Sequence, residues 1–395
     1  MSESSKKTLL IVDEQFEKIE GHYYEYNKAT AEIFKSKGYD VVIFGHSNVL
    51  LSLQLELNAK PWFDIQYHSP IRKIPVLGNF IYRWRFWKYY SQRLNELLEK
   101  HSRAETVLFF PNVYWYNILP ISWALRNRNI KAGLLYRTSI YDAIGLPAAL
   151  KKMTLSIISS AVSKLNANKS IRYLTDSEVI SKEWENHFNV PMGILPIPHI
   201  AVSKLKIDTP NKFVRLYLPG MMRLEKGAQI LAEAMTILAS EQKEILEKFE
   251  LVTQFPERND SLDIYKSKLE QLPINNVFYS SLSSEEYNRQ LNMADVILIP
   301  YKMGEGYRAR TSGILAEAIA LSKHFITTDG TWMSLQASKY DCGMVIQDGN
   351  AQQLAQAITD SIKKLNTLEQ KVDRARIKWL NDHSRDEFFS IFMSQ

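Results

Sequence analysis

The sequence predicts an α/β protein built from two doubly wound, Rossmann-like domains facing each other across a cleft. Three observations carry that expectation. Short apolar runs alternate with amphipathic helical stretches from one end to the other, the pattern of parallel strands joined by crossover helices. The 395 residues exceed the size at which a single hydrophobic core stops growing. The alternation lapses once, in the polar, proline-containing stretch HIAVSKLKIDTPNKF (199–213), and then restarts.

In the first half, strands are expected at TLLIVDE (8–14), DVVIFGH (40–46), TVLFFPNV (106–113), KAGLLYR (131–137), IRYLTDS (171–177) and MGILPIP (192–198). In the second half they are expected at VRLYLPG, ELVTQF, NVFYSS, DVILIPY, HFITTDG and GMVIQ, with helices at about 227–249, 261–272, 283–294, 311–322 and 350–366. The tail RIKWLNDHSRDEFFSIFMSQ reads as helical. The expected division is 1–205, 206–375 and a C-terminal helical segment 376–395. Ligands are expected at the C-terminal ends of the strands, where the loops lie.

Composition excludes several classes. The single cysteine, Cys342, rules out an internal disulfide framework and a thiolate metal cluster, and fits a reducing compartment. The apolar run near the N-terminus is too short for a signal peptide, and no stretch approaches the roughly 20 apolar residues of a membrane span. A cytoplasmic protein is expected, with peripheral attachment at the inner face of the membrane an option. The net charge of +6 is concentrated between Arg72 and Arg103, where eight Lys/Arg face only Glu96 and Glu99. One basic surface, rather than a basic protein, is expected.

Two motifs carry phosphate chemistry. In LYLPGMMRLEKGAQIL (216–231) a strand ends at Pro219-Gly220, the loop carries Arg223 and Lys226, and Gly227 leads into a helix. Gly220 lets backbone approach a ligand, and the two cations can grip adjacent phosphates. A positive charge is mildly unfavourable at a helix start, so this pair calls for a reason. In YRARTSGILAEAIALSKHFITTDG (307–330), Arg308 and Arg310 precede Thr311, Ser312 and Gly313 at a helix N-terminus, where free amides and the dipole favour an anion. Glu317, one to two turns further, can accept from a sugar hydroxyl. The plain alternative is a basic helix start and an ordinary N-cap with solvated side chains.

Together with FYSSLSSEEYNRQLNMADVILIPY (278–301), and LTDSEVISKEW followed by a strand ending in PIP, these residues resemble the GT-B glycosyltransferases, specifically the large retaining family four (GT4). The resemblance covers most of the second half and the first half in outline. It implies a nucleotide-sugar donor in the C-terminal domain, an acceptor in the N-terminal one, and a final helix crossing back onto the first domain. Arg223 and Lys226 would neutralise the donor diphosphate, and amides around Ser312, Gly313 and Ile314 would hold its phosphates. Glu317 would bind the ribose, and the Ser281-Leu282 loop would meet the base. The family usually carries an acid eight positions before Glu317, where this chain has Ala309, with Glu305 nearby as a substitute. Arg137 and Thr138 stand where the family often has a histidine.

On the acceptor side, the first βα loop offers Gly21 and His22, with Asp13 and Glu20 nearby; His22 is a candidate base or sugar contact, and a surface histidine otherwise. Arg137 and Asp142 are further acceptor candidates. No metal is required if Arg and Lys stabilise the leaving group, and no Asp-x-Asp triplet or metal-spaced cluster occurs. In FIYRWRFWKYYSQRLNELLEK, apolar positions 77, 81, 84, 87, 94 and 98 predict a core stripe, leaving Tyr82, Arg83, Phe86, Tyr89, Tyr90 and Arg93 outside. That mixture suits an anionic membrane, a lipid-linked acceptor, stacking on sugars, or a plain core helix with a basic back. Nucleic acid is not an expected partner, because no binding motif accompanies it.

The expected function is therefore transfer of a sugar from a nucleoside-diphosphate sugar to a hydroxyl of a glycan or lipid-linked glycan, in cell-surface polysaccharide synthesis. Retention is favoured over inversion. The alternative is a non-catalytic nucleotide-sugar-binding subunit of a glycan-assembly complex. A nicotinamide dehydrogenase is disfavoured, since no Gly-x-Gly-x-x-Gly turn follows a strand.

Overall fold

The computed structural model describes residues 7–19, 22–65, 77–141, 148–198 and 212–394; for His22, 77–80, 148–151 and Glu305 it describes backbone alone. Glu20, Gly21 and Asp142 lie outside the described residues. The chain divides into two compact units, one of residues up to 199 together with 383–395, the other of 200–382.

In the first unit seven parallel strands form one sheet: β1 (Thr8–Val12), β2 (Asp40–His46), β3 (Ala59–Phe63), β4 (Thr106–Phe110), β5 (Lys131–Tyr136), β6 (Ile171–Thr175) and β7 (Gly193–Ile194). Their order is β3-β2-β1-β4-β5-β6-β7. Between them run α1 (His22–Ser36), α2 (Leu51–Leu57), α3 (Leu77–His101), α4 (Ile118–Leu125), α5 (Ala148–Asn166) and α6 (Glu178–Phe188). The inner strands are apolar on both faces, as a sheet covered by helices on both sides requires; β4, TVLFF, is buried throughout.

The second unit repeats the plan with β8 (Val214–Met221), β9 (Phe249–Gln254), β10 (Asn275–Tyr279), β11 (Val296–Ile299), β12 (His324–Thr328) and β13 (Met344–Ile346), in the order β10-β9-β8-β11-β12-β13. Its helices are α7 (Ala228–Glu241), α8 (Lys243–Leu246), α9 (Asp260–Glu270), α10 (Ser284–Met293), α11 (Gly313–Ala320), α12 (Trp332–Lys339), α13 (Ala351–Lys363) and α14 (Leu365–Asp382). The last helix, α15 (Arg385–Met393), belongs to the first unit. There Phe392 packs edge-on against Phe34 and Phe109, with ring centroids 5.1 Å away in each case. Arg385 also pairs with Glu32 of α1 at 2.7 Å.

Three elements depart from the sequence reading. β3 went unread because AKPWF contains Pro61, which cannot donate to a ladder; the strand sits at the sheet edge, where a proline is tolerated. The helix expected over 227–249 is two helices broken at Gln242, and the turn carries Ile245 and Leu246 into the core. The third is a correction to the phase of α3. Its buried stripe is Phe86, Tyr90, Leu94, Leu97 and Leu98, whereas Trp84, expected in the core, is 55% exposed. Tyr90 can be buried because its hydroxyl donates to Glu14 and its ring stacks on Phe63 and Phe86.

In each sheet the strand order reverses between two central neighbours, β1 and β4 in the first, β8 and β11 in the second. Loops leaving the C-terminal ends of such a pair splay apart and open a crevice. Both loops that the sequence singled out in the second half leave one of these pairs.

Candidate active site

The β8 loop is shaped by two glycines. At Pro219-Gly220 the ladder to β9 shifts register, and Gly220 has φ +75°, a conformation that favours glycine. A Cβ there would lie 2.9 Å from the Nζ of Lys226, so the missing side chain is the space the ammonium occupies. A single 3-10 turn, Leu224–Lys226, then brings the chain to Gly227 (φ +93°), where a Cβ would stand 2.3 Å from the Pro300 carbonyl oxygen at the end of β11. The two loops are also tied directly, by the Lys302 amide donating to the Glu225 carbonyl at 2.9 Å.

Lys226 is buried and has no ion-pair partner among the described residues, since Glu225 pairs with Arg223 at 3.1 Å. Burial first, and repulsion from Arg223 second, push its ammonium down to about 8, with Glu225 opposing. Its Nζ stands 6.0 Å from the centre of the Tyr301 ring. Tyr301 in turn packs on Tyr307 at 4.7 Å, and the Arg310 guanidinium lies 5.5 Å from the Tyr307 ring. The Tyr301 hydroxyl is buried with no hydrogen-bond partner among the described residues. A buried cation and a buried hydroxyl side by side, both unanswered by protein, describe a place for an anionic ligand.

The second loop completes it. After β11 the chain makes a π-type turn, Met303–Tyr307, and reaches α11. Ser312 is the N-cap, its hydroxyl accepting from the Leu315 amide at 3.2 Å. The amides of Gly313 and Ile314 donate to no acceptor among the described residues, leaving two donors and the positive dipole end open. Glu317, one turn on, accepts from the Tyr287 hydroxyl of α10 at 2.7 Å and keeps Oε1 for another donor. Burial raises its carboxyl while the Tyr287 bond lowers it. The Lys226 ammonium near the Tyr301 ring and the Lys302–Glu225 bond hold the start of this connection against the β8 loop. Ser281 and Leu282 lie between β10 and α10, the helix that delivers Tyr287. Arg308 is half-buried and Arg310 and Thr311 flank the cap; Ala309 is fully buried, and the Glu305 side chain is outside the described residues.

At the reversal point of the first sheet the structure holds a polar cluster. Asp13 and Glu14, just past β1, are both buried. Asp13 accepts from Asn27 at 2.6 Å and Asn112 at 3.4 Å; Glu14 accepts from Tyr90 at 3.2 Å and Asn117 at 3.3 Å. Burial raises Asp13 to about 6, and burial with repulsion from Asp13 raises Glu14 to about 8. Tyr23 of α1 bridges Gln15 and Tyr114, and Tyr114 stacks on Tyr116 at 5.3 Å. Arg137 is engaged by Asp176 at 2.9 Å and lies over the Tyr26 ring at 4.9 Å. His22 begins α1, with its side chain not described.

Solved structures share this architecture over almost the whole chain. A glycosyltransferase from Rickettsia africae is 15% identical with a TM-score of 0.68, covering 99% of this chain and 100% of its own. HepE from Anabaena, in complex with UDP, is 11% identical with a TM-score of 0.63, covering 96% and 97%. A UDP-forming trehalose-phosphate synthase from Burkholderia xenovorans, in complex with glucose-6-phosphate, is 12% identical with a TM-score of 0.62, covering 98% and 99%. No curated protein matches the sequence. Residues 214–364 match the family described as "Glycosyl transferases group 1".

The matched residues lie wholly within the second unit. The fold is GT-B. Within the matched segment, Gly220, Arg223, Lys226, Tyr301, the Gly313 and Ile314 amides and Glu317 all lie on the β8 and β11 connections, which leave the reversal point of one sheet. Tyr287 and Tyr301 escaped the sequence reading; Tyr301 ends an apolar run and reads there as core, and Tyr287 lies in the polar stretch SSEEYNRQ and reads as an ordinary helix residue. In the first unit Glu14 escaped for the opposite reason, because an acid at a strand end reads as solvated.

Proposed function

We propose that the chain transfers a sugar from a nucleoside-diphosphate sugar to a hydroxyl of a glycan or lipid-linked glycan acceptor, without a metal, in cell-surface polysaccharide synthesis. The observations that carry this reading are a buried Lys226 ammonium with no ion pair to a described residue and two open helix-start amides, on the two connections that leave the reversal point of a parallel sheet. A diphosphate supplies the matching charge and acceptors. Relatives of the same fold are in complex with UDP or are UDP-forming, so UDP-sugars are the first donors to test.

In the reaction the bond from the anomeric carbon to the diphosphate oxygen breaks, and a bond to the acceptor oxygen forms. Negative charge grows on the leaving diphosphate, where Arg223, Lys226 and the α11 amides stabilise it. Glu317 fixes the ribose through Oε1 while Tyr287 holds Oε2. With retention, the departing phosphate takes the acceptor proton on the same face. The first unit supplies the acceptor site, for which Tyr23, Tyr114 and Tyr116 offer ring faces. Exposed Trp84, Arg85 and Lys88 on α3 support peripheral contact with an anionic membrane through residues 72–103. Among the described residues, no helix is long and apolar enough to cross one.

A second reading, a nucleotide-sugar-binding subunit without turnover, is favoured by Ala309, a buried methyl where the resemblance calls for a sugar-contacting acid. Incubation with UDP-sugars and candidate acceptors in EDTA separates the two. Release of nucleoside diphosphate that disappears in Arg223→Ala/Lys226→Ala supports transfer; saturable nucleotide binding with no release from any acceptor supports the subunit.

A further inference from the structure

The opposite, N-terminal edge of the first sheet carries a cavity that the transfer reaction does not use. Its volume is about 540 Å³, within the usual range for small-molecule sites. Four cations line it, Lys35 from α1, Lys60 from β3, Lys100 from α3 and Arg103 from the loop into β4, against one carboxylate, Asp40. None of the four forms an ion pair with a described residue. Aromatic rings hold two of them instead: the Lys60 ammonium is 6.0 Å from the Phe44 ring and that of Lys100 is 5.6 Å from Trp62. The rings themselves are packed together, 5.3 Å apart, with His101 wedged against both. Rings orient a cation without cancelling its charge.

A simpler account covers part of this. Lys35 and Lys100 sit in the last turns of α1 and α3, where a positive charge complements the helix dipole. Lys60 and Arg103 lie on no helix, so the dipole does not explain them. Their joint field with Lys100 is felt inside the cavity, where burial and these three neighbours hold the His101 imidazole below its ordinary range. Along the same edge, under β4, β5 and β6, a second cavity of about 440 Å³ is lined by Lys131, Lys169 and Arg172, with no carboxylate among the described lining residues. Among the described residues, seven cations and one carboxylate thus line two cavities on a single sheet edge.

We infer that this edge is a second anion site, in which Lys35, Lys60, Lys100 and Arg103 seat the phosphate groups of a small, multiply phosphorylated molecule. The concave wall, partly apolar through Leu10, Val41 and Val42, suits a compact ligand rather than a flat charged surface. The basic window 72–103 is thereby split. Its last two cations serve this cavity, and Arg85 and Lys88 stay exposed on α3.

The test uses inorganic tripolyphosphate as the probe, by calorimetry at constant ionic strength, on the full chain carrying Arg223→Ala/Lys226→Ala so that the crevice of the second unit is silenced. Saturable binding is expected, weakened at least about tenfold by Lys60→Ala/Lys100→Ala and recovered in Lys60→Arg/Lys100→Arg. Lys35→Ala/Arg103→Ala, which alters only exposed side chains, is expected to weaken it likewise with the melting temperature unchanged. Equal binding by the parent and both alanine variants overturns the inference. So does an equal response to sulfate at matched ionic strength, or binding only to vesicles containing anionic phospholipid that is lost in Lys60→Ala/Lys100→Ala.

Discussion

The Nζ of Lys226 occupies the space that a side chain on Gly220 would fill, 2.9 Å from where its Cβ would be. The ammonium is thereby buried against the strand end with no ion-pair partner among the described residues, and the consequences of that arrangement can be measured.

Gly220→Ala combines an unfavourable positive φ with a methyl against Lys226. The left-handed conformation costs an ordinary residue about 1–2 kcal/mol, and the displaced ammonium leaves its seat. The variant should lose a few degrees of melting temperature and bind UDP at least about tenfold more weakly. Differential scanning calorimetry and nucleotide titration read the two effects separately.

Lys226 gives opposite pH trends for stability and for binding. Its folded value, about 8, lies below the ordinary 10.5, so between these two the unfolded chain binds more protons than the folded one. Stability of the ligand-free protein should therefore rise with pH across that window. Nucleotide affinity needs the ammonium and should fall as pH passes 8. Lys226→Met should remove both trends, seen as differences from the parent in denaturation midpoints and in UDP titrations from pH 7 to 10.

Tyr287→Phe takes away the donor that holds Oε2 of Glu317. A hydrogen bond to a charged group contributes about 1.5–3 kcal/mol. The variant should raise the donor KM by about tenfold or more with little change in kcat, because the ribose is held alike in ground and transition states. A loss confined to kcat would place Glu317 at the reacting centre instead.

Glu14 predicts a different pH dependence for the first unit. Its folded value near 8 lies above the ordinary 4.5, so its contribution is fully present below pH 4.5 and is lost as pH rises through about 8. Asp13, raised from 3.8 to about 6, adds a loss at lower pH. Glu14→Gln should flatten the decline above pH 6 in chemical denaturation while leaving UDP affinity unchanged.

The alternation of strands and helices was legible because parallel strands buried on both faces are continuous apolar runs, as in TVLFF and VILI. β3 was hidden by Pro61, and the phase of α3 was misread because Trp84 counts as apolar and Tyr90 as polar. Burial of Tyr90 depends on Glu14, 76 residues away, and that of Glu14 on Asn117, 103 residues away. Periodicity within one helix carries no trace of such partners. The glycines and cations of the candidate phosphate site could be singled out in the sequence because they lie within single loops. The contact from Tyr287 to Glu317 spans 30 residues and needed the sheet order to place it.

The central claim is that one diphosphate is gripped at once by Lys226 and by the amides opening α11. Nuclear magnetic resonance of the chain labelled at lysine side chains and backbone nitrogen tests this during a UDP titration. The Lys226 ammonium should move up from about 8 as the Gly313 and Ile314 amides shift, all three following one dissociation constant. Amides that shift while Lys226 keeps its value, or the reverse, would contradict it.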